Sequence, residues 1–350
     1  MNHPIIDTDV HQNIPSEAWP QYLAEPYKSE VAAFGPRRFG YGVRFEDGGN
    51  RWDVKDPAGR SPDLHPDLMT KQLLDTYGTR YALLTGTKGS VAGIPDVDYA
   101  AAMCRGFNDY TIDVWLRADP RYLMGIFIGL GDPALAVREI ERLAGHPQVK
   151  FVCFYGATTI PFGQRFYWPI YEACARHGLP IHLHPATTAL SANPSTNAAG
   201  TASTYLEAHI CVSQNYQGHL ISLVLEGVFE KFPTLKFAFV EGGFGWVPHV
   251  LWRMDKEFKG LRHQAPWLKR LPSDYVRQHI RFATQPMEEP TRPGQILPYF
   301  DILDAENLLI YASDYPHFDF DPPDVLPRGL SDTARRKILH DNAAEFFGLK

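Results

Sequence analysis

Eight short apolar runs, rich in β-branched and aromatic residues and most of them followed by a helical pattern, recur along the 350 residues of this chain. Strands that alternate with helices need crossover connections and so pair in parallel, and eight such units form a closed (β/α)8, TIM-like barrel. The runs fall at 5–11, 81–87, 123–129, 149–155, 180–185, 235–241, 280–285 and 307–314. Helical patterns fall at 68–77, 96–118, 133–145, 167–177, 202–232 with a break expected near Gln217–Gly218, 246–260 and 293–300. A last one runs over 331–347, with Ser331 placed to cap it. The stretch 12–66 is irregular and rich in Gly, Pro, Arg and aromatics (Phe34, Phe39, Tyr41, Phe45, Trp52), which favours a packed cover over the barrel mouth. The expectation is one distorted barrel domain over 1–350, with a long insertion after its first strand and a C-terminal helix.

A net charge of -6 and only short runs of Lys and Arg exclude the electrostatic footprint of a nucleic-acid binder, leaving a small molecule as the expected partner. Cys104, Cys153, Cys174 and Cys211 lie far apart and read as reduced, not as a disulfide framework or a thiolate metal site. No secretory leader and no apolar run of membrane-spanning length is evident, so a soluble cytoplasmic protein without membrane contact is expected. Exposed aromatics such as Trp252 and Trp267 would suit an interface, and a homo-oligomer or a hetero-oligomer with a related barrel both stay open.

Barrel active sites sit where the strands end, so chemistry-bearing residues there should converge from distant segments. The first strand closes with Asp9 and His11, the fifth with His182 and His184, the sixth with Glu241 and the eighth with Asp314, followed by His317. Side chains alternate along a strand, so Asp7, Asp9 and His11 share one face, where unpaired charges would be costly to bury. Carboxylates and imidazoles gathered from four otherwise apolar strands point to a divalent metal. His184, nearest its strand end, is the better ligand. His182 can be a second ligand, a partner behind a ligand or a core histidine. Asp7 lies a layer deeper and reads as holding His11 or the strand backbone. His317 either meets substrate, supports a metal ligand from behind, or faces solvent. His209 and His219 read as helix-face residues, and Asp319 and Asp321 as turn formers.

Across nearly its whole length the chain resembles the amidohydrolase-related proteins of the aminocarboxymuconate-semialdehyde decarboxylase type. The motifs that carry the resemblance are 6–11, 179–185, 225–236 leading into Glu241-Gly242-Gly243, 312–317 and 337–344. It implies a metal-dependent barrel with ligands at Asp9, His11, His184 and Asp314, acting by hydrolysis or decarboxylation on a small or aromatic carboxylate. Glu241 departs from the histidine that typical decarboxylases of this family carry there. Counting Asp9, Glu241 and Asp314 as ionised, one divalent cation leaves a negative charge, so Glu241 is either a protonated general acid or a ligand in a dinuclear centre. Zinc, manganese and iron, one or two per chain, all suit such a ligand set. Two mechanisms follow: a metal-dependent hydrolase or carboxy-lyase with Glu241 and His317 as catalytic groups, or a dinuclear iron or manganese oxygenase with Glu241, and His182 beside it, on a second metal. A catalytically silent structural subunit is the third reading. The arginines of the cover (Arg37, Arg38, Arg44) could pair with a substrate carboxylate or simply pack the loop.

Overall fold

A computed structural model of the chain describes residues 3–37, 49–86, 94–156, 158, 160–185, 200 and 202–350. Its strands are β1 (Ile5–Val10), β2 (Thr79–Leu84), β3 (Tyr122–Phe127), β4 (Val149–Tyr155), β5 (Ile181–His184), β6 (Phe237–Phe239), β7 (Ile280–Ala283) and β8 (Leu309–Ile310). Each pairs in parallel with the next in chain order. Between β8 and β1 single bonds replace a ladder: Thr8 N–H reaches Tyr311 O at 3.0 Å, Asp314 N–H reaches Asp9 O at 3.1 Å and His11 N–H reaches Tyr315 O at 2.9 Å. The sheet is therefore a nearly closed barrel. Its seam lies beside Asp9, His11 and Asp314.

Strands buried on both faces read as continuous apolar runs, and here Phe151, Phe154, Phe237, Phe239 and Phe282 fill the core. At Gly125 on β3 a side chain would collide with Phe151 and Cys153, so the barrel interior is packed there by its neighbours. The exceptions are β1, which buries Asp7, Thr8 and Asp9 completely, and β5, which buries His182 and His184. The register of β1 against β2 shifts between Ile5 and Ile6 and between Asp7 and Val10, and that of β3 against β4 between Met124 and Gly125.

Several expected boundaries move. The eighth strand shrinks to two residues, because Ala305–Leu308 forms a helical turn and the chain beyond Ile310 turns toward β1. The long segment before β6 divides into helices Tyr205–Ile210, Val212–Leu225 and Val228–Lys231, with interruptions at Cys211 and at Gly227 (φ 76°). The expected break at Gln217–Gly218 is instead continuous helix: the buried face made by Val212, Tyr216, Leu220 and Leu223 outweighs the cost of one glycine, about 1 kcal/mol. A helix over Pro272–His279, not anticipated, precedes β7. Ser331 does cap the terminal helix, accepting from Ala334 N–H at 3.0 Å.

The insertion is less irregular than expected, since Tyr27–Phe34 is helical. Phe39, Tyr41, Phe45, Arg38 and Arg44 lie outside the described residues. Arg37 is used in structure, bonded to Glu30 and Asp96. The later part of the insertion is clipped to the loop after β8: Arg51 N–H donates to Pro316 O and Phe318 N–H to Gly49 O, and in the helical segment that follows, Gln72 Oε1 accepts from Tyr315 OH. No helix among the described residues is long and apolar enough to cross a membrane.

Helix Val212–Leu225 braces the barrel from outside. Tyr216 OH donates toward Leu183 O (3.0 Å) and Val240 O (2.7 Å), tying the ends of β5 and β6 together. His219 is structural, as its helix-face position implied: its Nε2–H donates to Gly156 O at 2.9 Å and its Nδ1 accepts from Phe162 N–H at 3.3 Å. Protonation would destroy that acceptor, and burial pushes the His219 pKa down to about 4. An unfolded histidine titrates near 6.5, so between these values the unfolded chain binds more protons and stability falls as pH falls. Denaturant unfolding followed from pH 7 to pH 4.5 should show this loss, and His219→Gln should make the dependence shallower; an unchanged slope in the variant would contradict the assignment.

Candidate metal centre

Five residues meet where the strands end. Asp9, His11, His184, Glu241 and Asp314, all buried, offer ligand atoms that lie within 4.8 Å of one another. Donors on opposite sides of a cation bound at roughly 2.0–2.2 Å stand about 4.4 Å apart, so the cluster has nearly the span of a single coordination sphere.

Local folding aims each group. Asp9 Oδ1 accepts from Thr85 Oγ1 (2.5 Å), and its Oδ2 is buried with no hydrogen-bond partner among the described residues. His11 Nδ1 lies 2.7 Å from Gly86 O, and His184 Nδ1 lies 2.7 Å from Pro185 O. A carbonyl oxygen can only accept, so each Nδ1 carries a hydrogen, and in the neutral imidazole Nε2 presents its lone pair. Those lone pairs face oxygen: His11 Nε2 is 2.7 Å from Asp314 Oδ1, and His184 Nε2 is 2.7 Å from Glu241 Oε2. Lone pair against carboxylate oxygen is repulsive unless a proton or a cation lies between them. Among the described residues, His184 Nε2, Glu241 Oε2 and Asp9 Oδ2 also lack hydrogen-bond partners although buried. Glu241 (φ 55°) and Asp314 (φ 61°) both take left-handed backbone just beyond short strands, a conformation of raised energy that persists only where the surroundings enforce it.

The electrostatics call for the same positive charge. Burial opposes a charged His184, but Glu241 and Asp9 outweigh it and push the pKa up to about 9. Glu241 is held well below the usual carboxylate range, burial being outweighed by His184 and His209. Burial, then Glu241, Asp319 and Asp9, drive Asp314 well above that range. A divalent cation fits this donor set of two neutral imidazoles and three carboxylates, in which buried atoms lack partners.

His317 lies against the cluster, its Nδ1 2.8 Å from Asp314 Oδ1 and its ring stacked on His11 at 4.1 Å. His182 stands outside the group: its Nε2 donates to Thr8 O at 2.9 Å and its ring faces Phe151, while burial lowers its pKa to about 4. Asp7 holds backbone, not His11. Its Oδ1 accepts from Ser313 N–H (3.0 Å) and Asp9 N–H (3.3 Å), and burial raises its pKa to about 7.

Three neighbours of the cluster were not anticipated. His209, read as a helix-face residue, points inward with Nε2 3.1 Å from Glu241 Oε1. Asp319, read as a turn former, accepts from Gln285 Nε2 at 3.0 Å and lies 3.7 Å from His209 Nε2. Gln285, at the end of β7, also reaches Asp314 Oδ2 at 3.3 Å. No periodic pattern marks them, since two lie in segments outside the strands. The one available signal is that Asp319 and His317 follow Asp314 in the same loop.

Comparison with known proteins agrees with this architecture. The profile of the amidohydrolase family matches residues 6–349, and the chain belongs to that family. It is 25% identical over 331 residues to a γ-resorcylate decarboxylase of Polaromonas sp., covering 85% of this chain and 94% of that one. Among solved structures it is similar to a 5-carboxyvanillate decarboxylase of Novosphingobium aromaticivorans complexed with manganese and 4-hydroxy-3-methoxy-5-nitrobenzoic acid, at TM-score 0.74 and 20% identity over 99% of this chain and 97% of that one. A dihydroxybenzoic acid decarboxylase of Polaromonas sp. with bound manganese and 2-nitroresorcinol gives TM-score 0.68 and 19% identity over 99% and 97%. At these identities the structural likenesses speak for the fold.

Native protein should carry one divalent cation per chain by elemental analysis, and stripping it with a chelator should lower Tm, since a ligand at a hundred times its Kd contributes about 2.7 kcal/mol. His184→Ala and Asp314→Ala should purify nearly free of the cation. Variants that retain a full complement would remove these residues from the ligand set.

Proposed function

We propose that this chain is a metal-dependent carboxy-lyase that decarboxylates a hydroxylated aromatic acid. The observation that carries the reading is the buried pair of Nε2 lone pairs facing carboxylate oxygens, an arrangement that a cation resolves, in a chain whose relatives are γ-resorcylate decarboxylases along most of both lengths. Asp9, His11, His184, Asp314 and Glu241 are the proposed ligands, and manganese, present in three of the similar decarboxylase structures, is the proposed metal. When bound it supplies Lewis-acid chemistry, polarising the acid and withdrawing electron density from the ring.

The reaction breaks the bond between ring and carboxylate, leaves its electron pair on the ring carbon, releases carbon dioxide and requires a proton at that carbon. Glu241 and His317 are the proposed catalytic groups. Glu241 lies between His184 and His209, and with His184 Nε2 given to the metal, His209 is the imidazole that can exchange a proton with it. His317 stacks on His11 and hydrogen-bonds Asp314, so its ring stands at the edge of the cluster where an aromatic substrate would lie. Tyr205 and Phe318 add aromatic surface beside His209.

One cation suffices for the charge. Three ligand carboxylates and a divalent ion leave one negative charge, and His209 can offset it: burial disfavours its charged form, but the Glu241 hydrogen bond outweighs this and raises its pKa. Asp319 is pushed toward its neutral form by burial and by Glu241. His182, which a second metal would have used, is committed to Thr8 O, so the dinuclear oxygenase reading lacks that ligand.

The test is incubation of the manganese-loaded protein with ortho-hydroxylated benzoates, 2,6-dihydroxybenzoate and 5-carboxyvanillate first. Carbon dioxide and the carboxylate-free ring product should form in equal amounts without oxygen uptake, and Glu241→Gln should slow the reaction by about a hundredfold or more. Oxygen consumption, or hydrolysis of an ester or amide with no decarboxylation, would overturn the reading.

A further inference from the structure

His209 is outside the five clustered donors, yet it touches one of them. The helix Tyr205–Ile210 begins at Thr204, whose hydroxyl accepts from Glu207 N–H at 3.2 Å, and residues four apart on it share a face. Tyr205 and His209 are such a pair, stacked with ring centroids 5.4 Å apart and interplanar angle 27°. The edge of Phe318 meets the same imidazole at 5.9 Å. Ring packing on two sides therefore places His209 independently of its contact with Glu241.

Glu241 is bound differently at its two oxygens. Oε1 accepts from His209 Nε2–H at 3.1 Å, whereas Oε2 has no hydrogen-bond donor among the described residues and faces His184 Nε2, with Asp9 Oδ2 3.7 Å from that same nitrogen. The Glu241 side chain is 6% exposed, so bulk water offers Oε1 no replacement donor. An unheld buried carboxylate can turn and present either oxygen, both or neither to a neighbouring cation. A held one presents a single oxygen.

From this geometry we infer that His209 is a positioning residue: it fixes Oε1 of Glu241 so that Oε2 is presented to the metal, and it acts on the centre only through Glu241. The inference rests on the five-residue cluster being the cation site. Groups that orient metal ligands in this way influence affinity by about 10–100-fold, although they never touch the ion. His209 would then set how tightly this centre holds its cation.

The experiment is manganese binding, followed by the electron paramagnetic resonance signal of the free ion, on the chelator-stripped full-length chain. His209→Ala should weaken binding about tenfold or more. His209→Gln, which retains an N–H near the position of Nε2, should recover most of the affinity. In a Glu241→Ala background, His209→Ala should change the dissociation constant by less than about twofold, because the residue it acts through is gone. A general loosening of the fold would weaken binding in both backgrounds alike, and that result overturns the inference, as does an unchanged affinity in His209→Ala. A wild-type chain that takes up no manganese would overturn the metal centre itself, and this inference with it; wild-type binding that His209→Ala leaves intact overturns the role of His209 alone.

Discussion

Two imidazole lone pairs and three carboxylates are pressed together at one end of this barrel, where burial removes the water that would screen them. In a low-dielectric interior such like-with-like contacts are unfavourable by several kcal/mol, roughly, unless a positive ion sits among them. The rest of the molecule maintains that confrontation. Gly86 O and Pro185 O hold a hydrogen of His11 and of His184 on Nδ1, so that each neutral imidazole offers its Nε2 lone pair to the cluster. Thr85 occupies one oxygen of Asp9, and the other has no hydrogen-bond partner among the described residues.

The barrel is irregular in the same places. Its open seam lies between β8 and β1, closed by single hydrogen bonds that set Asp314 against Asp9 and Tyr315 against His11. β6 and β8 are the shortest strands, and each passes into a left-handed residue that is itself a proposed ligand, Glu241 and Asp314. A longer ladder would have carried those side chains past the cluster. Asp7, fully buried beneath Asp9, supports the seam by accepting backbone hydrogens from Ser313 and Asp9, which keeps β1 and the start of the β8 loop together.

Much of this was legible in the sequence, for a physical reason: strand periodicity and the end-of-strand rule for barrels both act on residues adjacent along the chain. Asp9, His11, His184, Glu241 and Asp314 all sit at strand ends and could be found that way. His182 obeys the same rule, two residues before His184 on the same face, and only cross-barrel geometry reveals that it is turned to the carbonyl of Thr8. His209 and Gln285 escaped because their approach to the site depends on how the crossover helix and the end of β7 dock, which no local pattern encodes. Gln217–Gly218 misled for the opposite reason, since tertiary packing of Tyr216 and Leu220 overrode a local breaker.

Glu241 gives the site its particular character. In the proposed site an acid that stays ionised beside His209 would supply a hard ligand oxygen and a partner for proton exchange, whereas a histidine in its place would supply a softer ligand and no negative charge. The account therefore stands on a single cation with Glu241 beside it. Anomalous diffraction from crystals of the manganese-loaded protein, collected at the manganese edge, tests this most directly. The account predicts one peak per chain, within bonding distance of Asp9, His11, His184, Asp314 and Oε2 of Glu241; a second peak, or a single one that Glu241 does not touch, would contradict it.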